Sequence, residues 1–313
     1  MPLRSPLPLA TRNSPLALAQ ARLTQARLMA ATGQSIDAFP ILGLTSTGDK
    51  LTDRTLIEAG GKGLFTKEID EALLSGDASI AVHSMKDVPT ELPKGLELGA
   101  ILEREDPRDV LLTADGSCQL NDLAEGARLG TASLRRQAQA LALRPDLDVT
   151  TLRGNVGTRL AKLKAGDIDA TFLAIAGLKR LGRSEGDLTP CGMDTILPAA
   201  GQAAIGLVVR RDDAAATSAT ALLNHLASAQ ALTAERAFLR ALDGSCRTPL
   251  AAHAIIENGV MTIRGQALLP DGSECWAHQV NGPPDLADEL GRDLGDYIRR
   301  AGGEKLAKVI KTT

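Results

Sequence analysis

Aromatic side chains are scarce in this chain of 313 residues, which contains one Trp, one Tyr and four Phe. Few rings are available for stacking against nucleotide bases, and a net charge of −3 also argues against a nucleic-acid surface. Long hydrophobic runs are missing as well, since no stretch approaches the roughly 20 apolar residues of a membrane-spanning helix. The first residues have no apolar segment typical of a secretion signal, so we expect a cytoplasmic protein.

Metal and nucleotide motifs are also missing. The four cysteines are far apart, with no C-x-x-C or H-x-x-x-H spacing, so we expect neither a disulfide framework nor a metal site. No G-x-G-x-x-G or G-x-S-x-G pattern is present. Gly60–Gly63 resembles part of a phosphate-binding loop but lacks its first glycine and its Ser or Thr, and we do not assign it that function.

Alternating strand and helix patterns predict an α/β protein of two or three domains. Helices are predicted at Pro15–Ala31 and Thr66–Leu74, and the apolar strand Ala204–Val209 is expected to return to the first sheet. Ala214–Leu242 reads as one Ala/Leu-rich helix. After it, turn signals at Asn258-Gly259 and Asp271-Gly272 predict three short antiparallel strands, followed by a helix over Asp285–Arg300.

Basic side chains recur where apolar strands are predicted to end. Arg135 and Arg136 fall in the first turn of a helix capped by Ser133, where the helix dipole disfavours positive charge unless an anion binds there. Solvated surface arginines are the alternative interpretation. The same association of Arg or Lys with Ser, Thr or Gly follows three other strands, at Thr11–Ser14, His83–Asp87 and Arg153–Arg159. Because ligands of open α/β sheets bind beyond the carboxyl ends of strands, these ends predict one pocket for a ligand with several negative charges.

Asp87 and Cys246 are candidates for chemistry within this pattern. Asp87 is an acid among basic residues, and it could stabilise a cation formed during a reaction or simply close a turn before Pro89. Cys246 lies in a polar loop beside Arg247, which would favour a reactive thiolate, although a free cysteine is more often a small apolar filler.

Several segments in sequence order resemble the porphobilinogen deaminases, also called hydroxymethylbilane synthases. The resemblance covers about residues 7–250, and its most specific segments are VHSMKDVP (82–89), SLRRQ (133–137) and LRGNVGTRL (152–160). Weaker matches are GGKGLF (60–65), EREDPRD (103–109), AGLKRLG (176–182), LPAAGQ (197–202) and DGSCRTP (243–249).

The resemblance implies a transferase of tetrapyrrole and haem biosynthesis. Such an enzyme joins four porphobilinogen molecules head to tail, releases ammonia at each step, and hydrolyses the product to hydroxymethylbilane. It implies a dipyrromethane cofactor attached to Cys246 and a catalytic role for Asp87. The implied cofactor-binding residues are Ser84, Lys86, Asp87, Thr131, Ser133, Arg135, Arg136 and Arg153, and the implied substrate-binding residues are Arg12, Ser14, Arg159 and Arg180. A monomer that passes its product to uroporphyrinogen-III synthase is also implied.

The chain departs from the family pattern at three places. The cofactor loop, usually Gly-Gly-Cys-Gln-Val-Pro, reads Gly-Ser-Cys-Arg-Thr-Pro over 244–249. Glu58 stands where many relatives have lysine. Ala203 replaces the glycine of Gln-Gly-Ala, which predicts a stiffer crossing between domains.

The resulting interpretation is an enzyme with two lobes resembling periplasmic binding proteins, each with a mixed sheet, and a small α+β domain with a three-stranded antiparallel sheet. The predicted domains are 1–103 with 203–220, then 104–202, then 221–313. The alternatives are an anion-binding protein without chemistry and a ligand-sensing regulator, for which we find no helix-turn-helix start.

Overall fold

The structure is a computed structural model that describes residues 6–46, 66–183, 188–244 and 248–312. Its contacts divide the chain into two compact units. Unit 1 consists of Met1–Glu105 with Ala203–Ala229, and unit 2 consists of Asp106–Gln202 with Gln230–Thr313. The three-domain boundaries drawn from the sequence remain a prediction.

The strands and helices of the described residues are numbered here in chain order. The strands are β1 (Leu9–Arg12), β2 (Ile41–Leu44), β3 (Ile80–Ser84), β4 (Leu96–Ile101), β5 (Asp109–Thr113), β6 (Gly116–Cys118), β7 (Arg128–Gly130), β8 (Asp148–Thr150), β9 (Ala170–Ala174), β10 (Ile205–Arg210), β11 (Leu250–Glu257), β12 (Val260–Leu268) and β13 (Cys275–Gly282). The helices are α1 (Pro15–Thr32), α2 (Lys67–Ser75), α3 (Leu134–Leu143), α4 (Val156–Lys164), α5 (Ile175–Arg180), α6 (Ala214–Ala221), α7 (Leu226–Ala241) and α8 (Ala287–Thr312).

Unit 1 is built on a mixed sheet with the strand order β2-β1-β3-β10-β4. Strand β1 is parallel to β2 and β3, whereas β10 is antiparallel to β3 and β4. Successive residues of β1 face opposite sides, so Leu9 joins the cluster that includes Leu28 of α1, and Ala10 joins the one that includes Leu73 of α2. The sheet is therefore covered on both faces, and β10 returns to it as the sequence predicts.

Unit 2 contains a second mixed sheet, with the order β6-β5-β9-β7-β8. Strand β7 lies between β8 and β9 and is parallel to both, so the carboxyl ends of these three strands lie at one edge. Strand β5 is antiparallel to β6 and β9.

The third sheet, β11-β12-β13, is entirely antiparallel and belongs to unit 2. Phe238 of α7 and Leu294 of α8 share its apolar core with Ile263 of β12. The predicted α/β class, with two mixed sheets and a separate three-stranded antiparallel sheet, is confirmed.

The single helix predicted over Ala214–Leu242 is wrong, because α6 and α7 are separate. Between them, the side chain of Asn224 accepts a hydrogen bond from Ile101 N (2.9 Å), and His225 N donates to Ile101 O (2.8 Å). These bonds draw the linking residues onto the end of β4 and away from a helical path. Among the helices of the described ranges, none has the length and apolar character that a membrane crossing requires.

Candidate active site

A cavity of about 50 Å³ lies at the carboxyl ends of β1 and β3 in unit 1. Arg12, Ser14, Ser84 and Asp87 all line it. The two strands are parallel neighbours, so the residues that follow them meet at one edge of the sheet. The structure therefore brings four of the predicted site residues together, while their roles remain predictions.

Local hydrogen bonds fix the position of these residues. Ser14 caps α1 by accepting a bond from Ala17 N (3.3 Å), as the Ser-Pro sequence predicts. On the other strand, Met85–Asp87 forms one 3-10 turn, and Met85 N donates to Ala204 O (3.0 Å). Lys86 is half-buried in that turn, and Asp87 is exposed.

Gly206 of β10 makes room for the turn that carries Asp87. A Cβ atom at Gly206 would lie 2.0 Å from Met85 Sδ, well inside contact distance. The side chain of Met85 is buried, so it has little freedom to move away. The absence of a side chain at Gly206 therefore determines how closely the catalytic candidate approaches the sheet.

His83 is a cavity residue whose role the sequence did not predict. Its side chain is 5% exposed and lines the same cavity as Arg12 and Asp87. Burial, followed by the positive charge of Arg12, lowers the pKa of His83 to about 4. The imidazole is therefore neutral at pH 7 and adds no positive charge beside Arg12.

Unit 2 carries the other predicted strand-end residues. Thr131 and Ser133 follow β7, and Ser133 caps α3 by accepting a bond from Arg136 N (3.4 Å). Arg135 and Arg136, in the first turn of α3, are 5% and 6% exposed. The alternative of solvated surface arginines is therefore wrong, because burial removes both side chains from bulk water.

Asp109, the first residue of β5, pairs with both of these arginines. Arg135 Nη2 donates to Asp109 Oδ2 and Arg136 Nη2 to Oδ1, each at 2.8 Å. Burial alone would raise the pKa of Asp109, but the charges of Arg136 and Arg135 outweigh it and hold that pKa well below its usual range. The carboxylate is therefore ionised, and the three buried groups carry a formal charge of +1.

The donor set of this cluster fits a carboxylate ligand. Arg135 Nη1 donates to Leu197 O (2.7 Å), but its buried Nε has no hydrogen-bond partner among the described residues. A guanidinium with a free donor in a net positive cluster matches the charge and geometry of a carboxylate. Two pyrrole rings that each bear acetate and propionate would supply such groups, so the residues present fit a dipyrromethane.

Three further predicted arginines lie near the ends of β8 and β9. Arg153 is half-buried in the segment between β8 and α4. Arg159 lies in the first turn of α4, where its Nε donates to Gly154 O (2.9 Å). Arg180 is the last residue of α5, which directly follows β9. These arginines thus belong to the strand edge that also carries Arg135 and Arg136.

Cys246, the predicted attachment point, lies outside the described residues, as do Glu58 and Gly60–Gly63. The remaining cysteines are free thiols. Burial raises the pKa of the Cys191 thiol to about 11 and also raises the pKa values of Cys118 and Cys275. Within the described part of the chain, no group of His, Cys, Asp and Glu side chains could hold a metal ion.

Comparison with protein families matches almost the whole chain. Residues 7–218 match the model described as porphobilinogen deaminase, dipyromethane cofactor binding domain, and residues 229–300 match the C-terminal domain of the same family. The chain belongs to the porphobilinogen deaminase family. The porphobilinogen deaminase of Paracoccus denitrificans is 48% identical over 299 residues, covering 95% of this chain and 94% of that protein. That of Caulobacter sp. strain K31 is 46% identical over 316 residues, covering 97% and 98%.

Solved structures with a similar arrangement are periplasmic binding proteins. The aliphatic sulphonate binding protein SsuA from Escherichia coli is 15% identical, with a TM-score of 0.41, and covers 77% of this chain and 71% of that protein. The second substrate binding domain of a putative amino acid ABC transporter from Streptococcus pneumoniae is 13% identical, also with a TM-score of 0.41, and covers 69% and 90%.

Among the residues that contact the predicted site, Asp109 is the one that sequence reasoning misplaced. It ends the charged run Glu103–Asp109, which was interpreted as a solvated linker between domains. A usable signal was its position directly before the apolar strand residues Val110–Thr113, since a charged residue entering a buried strand needs a partner. In this porphobilinogen deaminase family member, the partners are two predicted cofactor ligands.

Proposed function

We propose that this chain is a transferase that polymerises four porphobilinogen molecules into hydroxymethylbilane, with release of ammonia, in tetrapyrrole biosynthesis. Membership of the porphobilinogen deaminase family supports the activity. The structural observation that carries it is the cavity in which an exposed carboxylate, Asp87, lies beside Arg12 and Ser14. An acid placed next to a carboxylate-binding arginine suits a substrate that is anionic at its periphery and becomes cationic at its ring.

Asp87 is the residue we assign to the chemical step. When ammonia leaves porphobilinogen, the electron-poor azafulvene that remains develops positive charge at its pyrrole nitrogen. A fixed carboxylate that accepts the pyrrole N–H stabilises that charge. Neutral His83, in the same cavity, does not oppose this charge, whereas a protonated imidazole would.

The basic residues are assigned to the carboxylates of substrate and cofactor. Arg12, Ser14, Arg159 and Arg180 are proposed to bind porphobilinogen units as the chain grows. Cys246 is proposed to hold the dipyrromethane, with Ser84, Lys86, Thr131, Ser133, Arg135, Arg136 and Arg153 contacting it. When bound, that cofactor supplies the free pyrrole carbon to which the first unit is added. Arginine suits this task because its planar guanidinium binds a carboxylate through two donors.

We also propose that the protein acts in the cytoplasm as a monomer and passes its product to uroporphyrinogen-III synthase. The net charge of −3 and the scarcity of aromatic residues support a small-molecule partner over a nucleic acid.

The test is turnover of porphobilinogen by the purified protein and by Asp87→Asn. The wild type is expected to release one ammonia for each porphobilinogen consumed. Asp87→Asn is expected to keep the fold and its bound cofactor but to turn over at least ~10²-fold more slowly, because the charge opposite the developing cation is lost. The matched control is Asp77→Asn, an exposed acid elsewhere in unit 1, which should retain full activity.

Two outcomes would contradict the proposal. Binding of porphobilinogen without release of ammonia would indicate an anion-binding protein. Near-normal turnover by folded Asp87→Asn would remove Asp87 from the chemical step.

A further inference from the structure

Asp109 has no exposed surface, and its carboxylate receives donors from two separate parts of unit 2. Arg135 Nη2 (2.8 Å) and Arg136 Nε (3.3 Å) reach Oδ2, whereas Arg136 Nη2 (2.8 Å) and Gln202 Nε2 (2.9 Å) reach Oδ1. Arg136 is thus held through two of its nitrogens, a paired contact that fixes the plane of a guanidinium as well as its position.

Arg135 is oriented by a second set of bonds. Its Nη1 donates to Leu197 O, and Leu197 is itself held by Gln139, which accepts from Leu197 N (2.7 Å) and donates to Leu197 O (3.1 Å). Arg135 therefore lies between a fixed carbonyl and the Asp109 carboxylate. Neither guanidinium depends on a ligand for its orientation, which lowers the entropic cost of binding one.

The charge of the cluster is balanced incompletely. Two buried guanidiniums face one buried carboxylate, and Arg135 Nε has no hydrogen-bond partner among the described residues. A buried charge without a counter-charge is unfavourable, so an additional anion would be stabilised here. If Asp109 were neutral, the two arginines would repel each other and lose their common anchor.

We propose that Asp109 is a positioning residue for the dipyrromethane. It orients Arg135 and Arg136 and neutralises one of their two charges, so that one positive charge remains for a carboxylate of the cofactor. Asp109 acts through the arginines and does not contact the ligand. This inference rests on the proposed function and adds to it the residue that assembles the cofactor-binding side chains.

The test compares Asp109→Asn with Asp169→Asn, each purified and measured by intact mass, thermal unfolding and turnover. Asp169 is the matched control, because it also receives two nitrogens of one arginine in unit 2 (Arg128 Nε, 3.1 Å, and Nη2, 2.7 Å) but lies at the surface. For Asp109→Asn, the fraction of protein with a mass above that of the bare chain is expected to fall at least about tenfold. Turnover per bound cofactor should stay within about threefold of wild type. Asp169→Asn should keep wild-type occupancy.

A purely structural role would lower the unfolding temperature of Asp109→Asn without changing its cofactor occupancy, and that result would overturn the inference. If Asp109→Asn does not fold, Gln202→Met decides, because it removes one donor from Asp109 without changing the charge. Reduced occupancy at a wild-type unfolding temperature supports the inference, and wild-type occupancy overturns it. A bare-chain mass for active wild-type protein would instead contradict the proposed function.

Discussion

Burial gives two carboxylates of this protein opposite uses. Asp87 is exposed at a cavity, where its charge is available to a substrate, whereas Asp109 is fully buried and its charge is taken up by Arg135, Arg136 and Gln202. Sequence alone separates them poorly, because both are single acids among basic residues at the edge of an apolar strand. The difference depends on long-range contacts such as the one between Asp109 and Gln202, which are 93 residues apart.

Serine caps were the residues that sequence predicted best. Ser14 and Ser133 each precede a helical pattern, and both accept the bond from the first helical turn that this position requires. The signal is local, because cap and acceptor are three residues apart. Buried ion pairs carry no such local signal, which explains why the caps were predicted and the partner of the arginines was not.

A residue-level prediction concerns stability between pH 4 and 6.5. His83 has a pKa of about 4 in the folded protein and about 6.5 when unfolded, so its contribution to stability is complete above pH 6.5 and is lost as the pH falls to 4. Burial raises the pKa of Asp70 to about 6 from 3.8, so its contribution is complete below 3.8 and is lost as the pH rises through 6. Each change corresponds to roughly 3 kcal/mol, and the two oppose each other.

Urea unfolding of the wild type, His83→Gln and Asp70→Asn across this pH range checks the prediction. The wild-type midpoint is expected to vary little. His83→Gln should become less stable as the pH rises toward 6, and Asp70→Asn should become more stable. Parallel pH dependences for all three proteins would contradict the opposing roles of these groups.

At the scale of elements, hydrophobic alternation and turn residues predicted most strands to within two residues. The return of β10 to the first sheet was predicted because an apolar strand follows the second lobe and needs a buried sheet position. The break between α6 and α7 was not predicted, since Ala and Leu continue through it and the bonds that cause it come from β4. Local propensity yields to tertiary hydrogen bonding at such places.

The loop between β12 and β13 provides an element-level prediction about the arginine helix. Gly272 has a φ of +75°, and a Cβ atom there would lie 2.4 Å from Ala142 N and 2.7 Å from Ala138 O of α3. Gly272→Ala is therefore expected to displace α3, which carries Arg135 and Arg136, and to reduce both the unfolding temperature and cofactor occupancy. Gly259→Ala is the matched control, because Gly259 has a similar φ of +78° with no atom near its Cβ position.

Thermal unfolding and intact mass of the two glycine variants separate the two effects. Backbone strain from positive φ should destabilise both variants by about 1 kcal/mol, whereas loss of cofactor should be confined to Gly272→Ala. Equal occupancy in the two variants would show that the loop does not support α3.

At the scale of the whole molecule, the sequence predicted which strand ends share an edge but not what joins the segments between the units. Gln202 Nε2 donates to Pro107 O (2.6 Å) as well as to Asp109, so the segment that ends unit 2's first part is bonded to the segment that begins it. The departure predicted to stiffen this crossing, Ala203 in place of glycine, has a φ of +70°. Alanine in that conformation is strained by roughly 1–2 kcal/mol.

Ala203→Gly should therefore be close to neutral. Relief of the strain offsets the lost methyl burial and the greater freedom of the unfolded chain. Ala200→Gly is the matched control, since Ala200 is also buried in the crossing but has no positive φ, and it should lose about 1–2 kcal/mol. Denaturant midpoints measure both. An equal loss in the two variants would show that Ala203 stores no strain.

The last prediction concerns the covalent state of the whole protein. Wild type is expected to show an intact mass above that of its bare chain and a positive colour reaction for pyrroles, and Cys246→Ser is expected to lose both. At pH 7 the thiolate needed for attachment is rare at Cys191, whose pKa is about 11, and the raised pKa values of Cys118 and Cys275 disfavour it there too. Serine at any of these three positions should leave cofactor occupancy unchanged. Retention of the added mass by Cys246→Ser would move the attachment site elsewhere in the chain.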